Sequence, residues 1–325
     1  DARRLRMTRF RDSREFGPTL DAAADRLAIS PTAIEKDYWV SEVLRALAAS
    51  SGGDFVFKGG TSLSKGYRIV ERFSEDVDVL LLPGDRGRGA IDTLMKTMAA
   101  SAAAGVDGTF TAVGDRETGR HRSYEIDYPA ARESTPLIRT SVLLEMGIRG
   151  GPHPHETLPI GCLLGDALTG AGTDLTEFAD LAPFEVAVLH PGRTLLEKLV
   201  LIHALAQQLG ADSSTTIPAR NGRHFYDVYQ LLGDDHVTEF LDGRDQVNEV
   251  MASVEEISRR FFRGSEQVRP TEGFAACPAF DPESPESALF RAGYETTMPE
   301  LYFGVTPLPT WEAMCARVAE ARDLL

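Results

Sequence analysis

The sequence predicts an α+β chain of two lobes, strands and helices over residues 1–180 and a mainly helical lobe over 181–325. Three observations carry this. Residues 55–83 read as strand, glycine turn, helix and acidic strand within one short stretch. Residues 105–127 alternate with the period of two expected of strands, and 139–149 read as a further strand. From Thr194 onward, apolar residues recur at helical spacing.

Composition sets broad limits. With 42% hydrophobic and 26% charged residues, the 325-residue chain can bury a substantial core. No apolar run approaches the ~18–20 residues of a membrane span, and the arginine-rich start lacks the apolar centre of a signal peptide. Cys162, Cys277 and Cys315 are scattered, which argues for neither a disulfide framework nor a zinc site and makes a reducing cytoplasm the expectation. The net charge of −15 disfavours general affinity for nucleic acid, so any such binding needs local basic patches. Arg3, Arg4, Arg6, Arg9, Arg11 and Arg14 form one cluster, Arg116, Arg120, His121 and Arg122 a second, and Arg259, Arg260 and Arg263 a third. Each reads first as a solvated surface.

In chain order, Leu20–Leu27 is rich in helix formers, and Ser30-Pro31 supplies an N-cap and a first-turn proline for a helix to about Ala48. Within it, Glu35-Lys36-Asp37-Tyr38 reads as a packed helix with its charges exposed. Phe55-Val56-Phe57 is a short buried strand, and Lys58-Gly59-Gly60 is a turn whose N–H groups are free to point outward. Thr61 or Ser62 is the expected N-cap of a helix over about Ser62–Glu71, and a helix start after Gly-Gly suits a phosphate. In the following strand, 74–82, Asp76 and Asp78 share one face while Val79–Leu82 enters the core. Two like charges there call for a neutralising partner, and a magnesium ion that also binds substrate phosphates meets that need. Turn and acidic pair together describe a site for a nucleoside triphosphate and Mg²⁺ (or Mn²⁺). It is not a P-loop, because GxxxxGK[ST] does not occur. Ser74 lies two residues before the first aspartate, where a phosphate would add negative charge and act as an off-switch; the plainer reading is a serine at a strand start.

Residues 90–104 form an Ala/Met-rich helix, 105–127 strands with turns at Gly114 and Gly119, and 139–149 a further strand with Glu145 in an apolar run. His153 and His155, each beside a proline, read as loop rather than metal ligands. Pro191-Gly192-Arg193 opens a helix over 194–209, and a turn of ~100° per residue puts Lys198 inside its buried stripe, where it must snorkel or meet an anion. Residues 211–222 are a polar, mobile loop. In the helix that follows, Phe225, Val228, Tyr229 and Leu232 form the packing stripe, with Arg223 and Asp227 on the opposite face. Pro270–Pro285 reads as a flexible link.

The KGGTSLSK and RFSEDVDV segments, followed about 150 residues later by Arg223-His224-Phe225-Tyr226-Asp227, resemble the AbiEii/AbiGii (MenT-type) nucleotidyltransferase toxins of the polymerase-β-like superfamily. The resemblance spans roughly 35–235. It implies a polymerase-β-like lobe with a mixed sheet, metals on Asp76 and Asp78, and triphosphate contacts from Lys58, Gly59, Gly60, Thr61, Ser62 and Arg223. It also implies that the helical lobe contributes Lys198 and Asp227 to the cleft. The superfamily's third carboxylate falls on Glu145, as metal ligand or base, with Asp127 as the rival. The implied activity is transfer of nucleotides from an NTP to an RNA, a tRNA 3′ end being the described target, and the implied partner is an AbiEi-type antitoxin. Two other readings remain: transfer to a protein or small-molecule hydroxyl, and a catalytically silent nucleotide-binding module.

Overall fold

The computed structural model describes residues 8–135, 138–211, 216–261 and 268–325. In chain order the elements are α1 (Phe16–Leu27), α2 (Pro31–Ser51), β1 (Phe55–Lys58), α3 (Gly59–Lys65), β2 (Asp76–Leu81), α4 (Arg88–Gly105), β3 (Phe110–Glu117), β4 (His121–Asp127), β5 (Ser141–Gly147), β6 (His155–Ile160), α5 (Leu163–Gly170), β7 (Phe184–Leu189), α6 (Pro191–Ala211), α7 (Arg223–Leu231), α8 (Asp235–Asp242), α9 (Arg244–Phe261), α10 (Pro285–Leu301) and α11 (Trp311–Glu320). No helix among the described residues is long and apolar enough to cross a membrane.

The chain forms two compact units. The first comprises Asp1–Gly66, Glu75–Ile148 and Glu156–Val188. The second comprises Tyr67–Ser74, Arg149–His155 and Leu189–Leu325, so the division is not the single cut near residue 180 that the sequence suggests. Residues 181–188 stay with the first unit because β7 runs parallel beside β1, Val188 against Phe57.

The first unit is built on a mixed seven-stranded sheet of order β3-β4-β5-β2-β1-β7-β6. β2 is antiparallel to β1 and parallel to β5, and β4 is antiparallel to both β3 and β5. Alternation gives the sheet two unlike faces. Val77, Val79, Leu144, Met146 and Tyr124 are buried on one; Asp76, Asp78 and Glu145 lie half-buried on the other. Helices α2 and α4 pack against these strands and each other. α2 starts where Ser30 accepts the Ala33 N–H and Pro31 occupies the first turn, as expected, and runs to Ser51. Its aromatic face carries Tyr38 and Trp39, the latter stacked on Tyr128 with ring centres 5.1 Å apart.

Several local expectations need correction. The helix after the glycine turn ends at Lys65, not Glu71, because Gly66 closes it and Arg68 takes a left-handed conformation at φ +58°. Neither Thr61 nor Ser62 is its N-cap; the cap position is Lys58. The acidic strand begins at Asp76, two residues later than the pattern suggests. Gly114 is no turn but part of an irregularity within β3, and the β3–β4 hairpin turns at Gly119 (φ +67°). The Pro270–Pro285 stretch is not a loose link: Phe274 and Phe280 are buried, and Phe280 packs 5.2 Å from Phe225.

The second unit is helical, as expected. Its core gathers Phe225, Phe280, Phe290 and Trp311, with the Trp311 indole N–H donating to Ser287 Oγ at 2.9 Å. The cysteines are all buried and free.

Arg3, Arg4, Arg6 and Arg263 lie outside the described residues. Arg11 is not a solvated cation: its side chain is buried, paired with Glu42 at 3.3 Å and with Asp107 at 2.9 Å. The N-terminal segment is held by Asp180, whose carboxylate accepts the Phe10 N–H at 2.8 Å, the Arg11 N–H at 3.1 Å and the Tyr38 hydroxyl at 2.6 Å. Asp180→Ala leaves these donors without their acceptor, two of them in the interior. It should cost about 3 kcal/mol of stability, read as a lower urea midpoint at unchanged m-value.

Candidate functional site

The first cluster follows from strand register. Lys58 on β1 stands opposite Asp78 on β2, and Asp78 stands beside Glu145 on β5. Paired residues on neighbouring strands project to the same face, so one ammonium and two carboxylates line up across three strands, with Asp76 two residues along. The glycine turn meets this row directly. Gly59 has φ +82°, and a Cβ built on it would lie 3.0 Å from the Asp78 Cβ and Cγ and closer still to Oδ2. Only a residue without a side chain lets the backbone pass the carboxylate this closely. Thr61 donates to the Asp76 carbonyl at 2.6 Å and Ser62 to the Gly59 carbonyl at 2.9 Å. Both hydroxyls therefore brace the turn rather than face outward, and Thr61 and Ser62 are buried.

Asp127, the rival third carboxylate, is exposed at the end of β4 opposite Ser141 and accepts from Thr109 at 3.0 Å. Register thus brings Glu145, not Asp127, beside Asp78. Among the described residues no three His, Cys, Asp or Glu side chains converge to hold a metal by themselves. The oxygen donors of Asp76 and Asp78 suit a hard cation that completes its shell with water and phosphate oxygens, the usual habit of Mg²⁺. Ser74 is half-buried in the coil before β2.

Residues 35–38 lie in α2, which packs against β2 and β5, and their charges are not exposed as the sequence suggests. Glu35 and Lys36 are almost wholly buried. Glu35 accepts the backbone N–H groups of Ala131 and Arg132 at 2.6 and 2.8 Å. Lys36 Nζ donates to the Arg139 and Ser141 carbonyls and pairs with Glu75 at 3.1 Å. Asp37 takes Lys65, the last residue of α3, at 2.5 Å and the Leu163 N–H at 2.7 Å. Burial lowers the Lys36 ammonium from its ordinary value, and the nearby Glu75 and Asp76 carboxylates oppose that shift.

The second cluster lies in the helical unit and also departs from expectation. Asp227 is fully buried, not on an outer face with Arg223. Its carboxylate binds Arg72 through two parallel bonds, Nε to Oδ1 at 2.6 Å and Nη2 to Oδ2 at 2.8 Å. Lys198 Nζ reaches Oδ2 at 2.8 Å and the His224 Nδ1 at 3.3 Å. Tyr226 is fully buried while Tyr229 and Leu232 are half-exposed, so the α7 stripe turns by one position from the expected one. That rotation carries Asp227 inward.

Charge balance follows. Burial alone would raise the Asp227 carboxyl, but Arg72 and then Lys198 outweigh it and hold it well below the carboxylate range. Burial lowers the Lys198 ammonium and Asp227 opposes. His224 is driven well below the usual imidazole value by burial and by Lys198, which keeps it neutral at pH 7. Sequence reasoning placed Lys198 correctly on the packed face but gave Arg72 no role. Its signal was the arginine of the RFSED segment, a cation in an otherwise short apolar and acidic stretch. Arg72→Met strips two charge-assisted bonds from a buried carboxylate and should destabilise the protein by about 3–5 kcal/mol in urea unfolding.

The family model described as nucleotidyl transferase AbiEii toxin, type IV TA system, matches residues 42–317. No curated protein matches the chain. Among solved structures, MenT4, a nucleotidyltransferase toxin from Mycobacterium tuberculosis H37Rv, is similar at TM-score 0.57 and 19% identity, over 94% of this chain and 88% of that one. At that identity the likeness concerns the fold, including the mixed sheet. The family model covers most of the chain, and the chain belongs to the AbiEii family of nucleotidyltransferase toxins of type IV toxin–antitoxin systems.

Proposed function

We propose that the protein is a magnesium-dependent nucleotidyltransferase toxin that transfers a nucleotide from an NTP to the 3′ hydroxyl of an RNA, with a tRNA 3′ end as acceptor and an AbiEi-type protein as antitoxin. The observation that carries the reading is the close approach of the Gly59 backbone to the Asp78 carboxylate. It favours a triphosphate and its cation bound side by side.

In this reading Asp76 and Asp78 hold the divalent ion, which when bound neutralises phosphoryl charge and activates the hydroxyl. The backbone N–H groups at Gly59-Gly60 take the terminal phosphates, and Lys58, in register with Asp78, adds positive charge. Glu145 is assigned as base: it accepts the proton as the acceptor oxygen forms its bond to the α-phosphorus. The bond from that phosphorus to the bridging oxygen breaks, and pyrophosphate leaves. Lys198 and Arg223 are assigned a part in the same reaction as charges that offset the phosphates. Asp227 and Arg72 hold Lys198 in place rather than touch substrate. With a net charge of −15, RNA binding falls to local arginines.

The test is incubation with α-labelled NTPs, Mg²⁺, and RNA, protein and small-molecule acceptors in separate reactions. Label at RNA 3′ ends is expected. Label on another acceptor alone would replace the RNA assignment, and triphosphate binding without transfer would leave a silent module. Asp76→Asn and Asp78→Asn should lower transfer about 100-fold or more, and full activity in either would end the proposal. Gly59→Ala strains a left-handed position and displaces the Asp78 carboxylate, so transfer should fall about 10–100-fold with the circular dichroism spectrum unchanged.

A further inference from the structure

Lys36 has a demanding position that the reaction above leaves unexplained. It sits on α2, its side chain is 1% exposed, and it reaches the starts of two strands at once. Its ammonium has three partners, two carbonyls that accept hydrogen bonds and one carboxylate in ion-pair reach. They are the Arg139 carbonyl at 3.1 Å, the Ser141 carbonyl where β5 begins, and the Glu75 carboxylate at 3.1 Å, one residue before β2. β2 and β5 are the parallel pair that bear the carboxylates, with Asp76 opposite Leu143 and Asp78 opposite Glu145. The next residue of α2, Asp37, holds Lys65 at the far end of α3, whose first residues are the glycine turn. Consecutive side chains of one helix thus fix the acidic strands and the turn.

Burying an ammonium is costly and methionine would fill the same space, so packing alone does not call for lysine here. We propose that Lys36 is the positioning residue of the acidic face: its ammonium ties the start of β5 to the start of β2 and so sets where Asp76 and Asp78 stand relative to Glu145. The inference rests on the cation-binding role proposed for Asp76 and Asp78.

The sign of one measurement separates this role from a simple charge effect. Removing a positive charge near Asp76 would by Coulomb's law tighten a bound cation. Loosening the carboxylates would weaken it. Mn²⁺ alone, titrated into the full chain and followed by electron paramagnetic resonance, reads the difference, with Asp78→Asn defining binding elsewhere. Lys36→Met should weaken the Asp78-dependent site about 10-fold, and kcat should fall comparably while KM for the NTP moves little. Lys36→Gln, which removes the same charge but keeps an amide donor near the two carbonyls, should weaken Mn²⁺ less but in the same direction. If Lys36→Met does not fold, Lys36→Gln decides. Unchanged or tighter Mn²⁺ binding in the folded variants overturns the positioning role while leaving the cation site intact. Mn²⁺ binding that Asp78→Asn does not alter overturns the cation site and this inference with it.

Discussion

The register among β1, β2 and β5 is the constraint on which the chemistry proposed for the first unit depends. Lys58, Asp78 and Glu145 are neighbours only because these strands pair as they do. Side chains alternate along a strand, so a slip of one residue would turn both aspartates into the packed face and bring Val77 and Val79 out. The apolar residues between and after the acids therefore do two things at once. They fill the core, and by filling it they force the carboxylates outward onto one face.

Charge neutralisation is the second organising theme, and each unit solves it internally. In the first, Glu35, Lys36 and Asp37 bind backbone groups and opposite charges from three separate elements. In the second, Asp227 is held between Arg72 and Lys198. Buried ion pairs of this kind give little net stability against apolar substitutes, since desolvation offsets much of the attraction. What they supply is definition of geometry, because a buried charge tolerates few arrangements of its partners. Arg72 with its planar fork fits that role better than a second lysine would.

Much of this was legible in the sequence. The strand–turn–strand order of 55–83 and the shared face of Asp76 and Asp78 follow from period-two alternation, and the inward placement of Lys198 follows from helical spacing. Local rules failed where long-range partners decide. Asp227 reads as an exposed i,i+4 partner of Arg223 until Arg72, 155 residues away, draws it inward. Residues 35–37 look like an ordinary solvated helix face because nothing nearby in sequence announces backbone donors at 131 and 163 or an acceptor at 139. That Glu145 stands beside Asp78 while Asp127 does not is a matter of the β2–β5 pairing, which no local pattern reveals. The split of the chain into units was hidden likewise, since short segments such as 67–74 belong by packing, not by order, to the helical unit.

The seven-strand order places β5, β2 and β1 in the middle, with two strands on either side. Every strand bearing a proposed reactive group is therefore hydrogen-bonded along both flanks, and the sheet's open margins fall on β3 and β6. Insertions, altered loops or looser pairing at those margins can accumulate without reaching the acids. Such an arrangement lets the perimeter diverge among relatives while the central chemistry stays put.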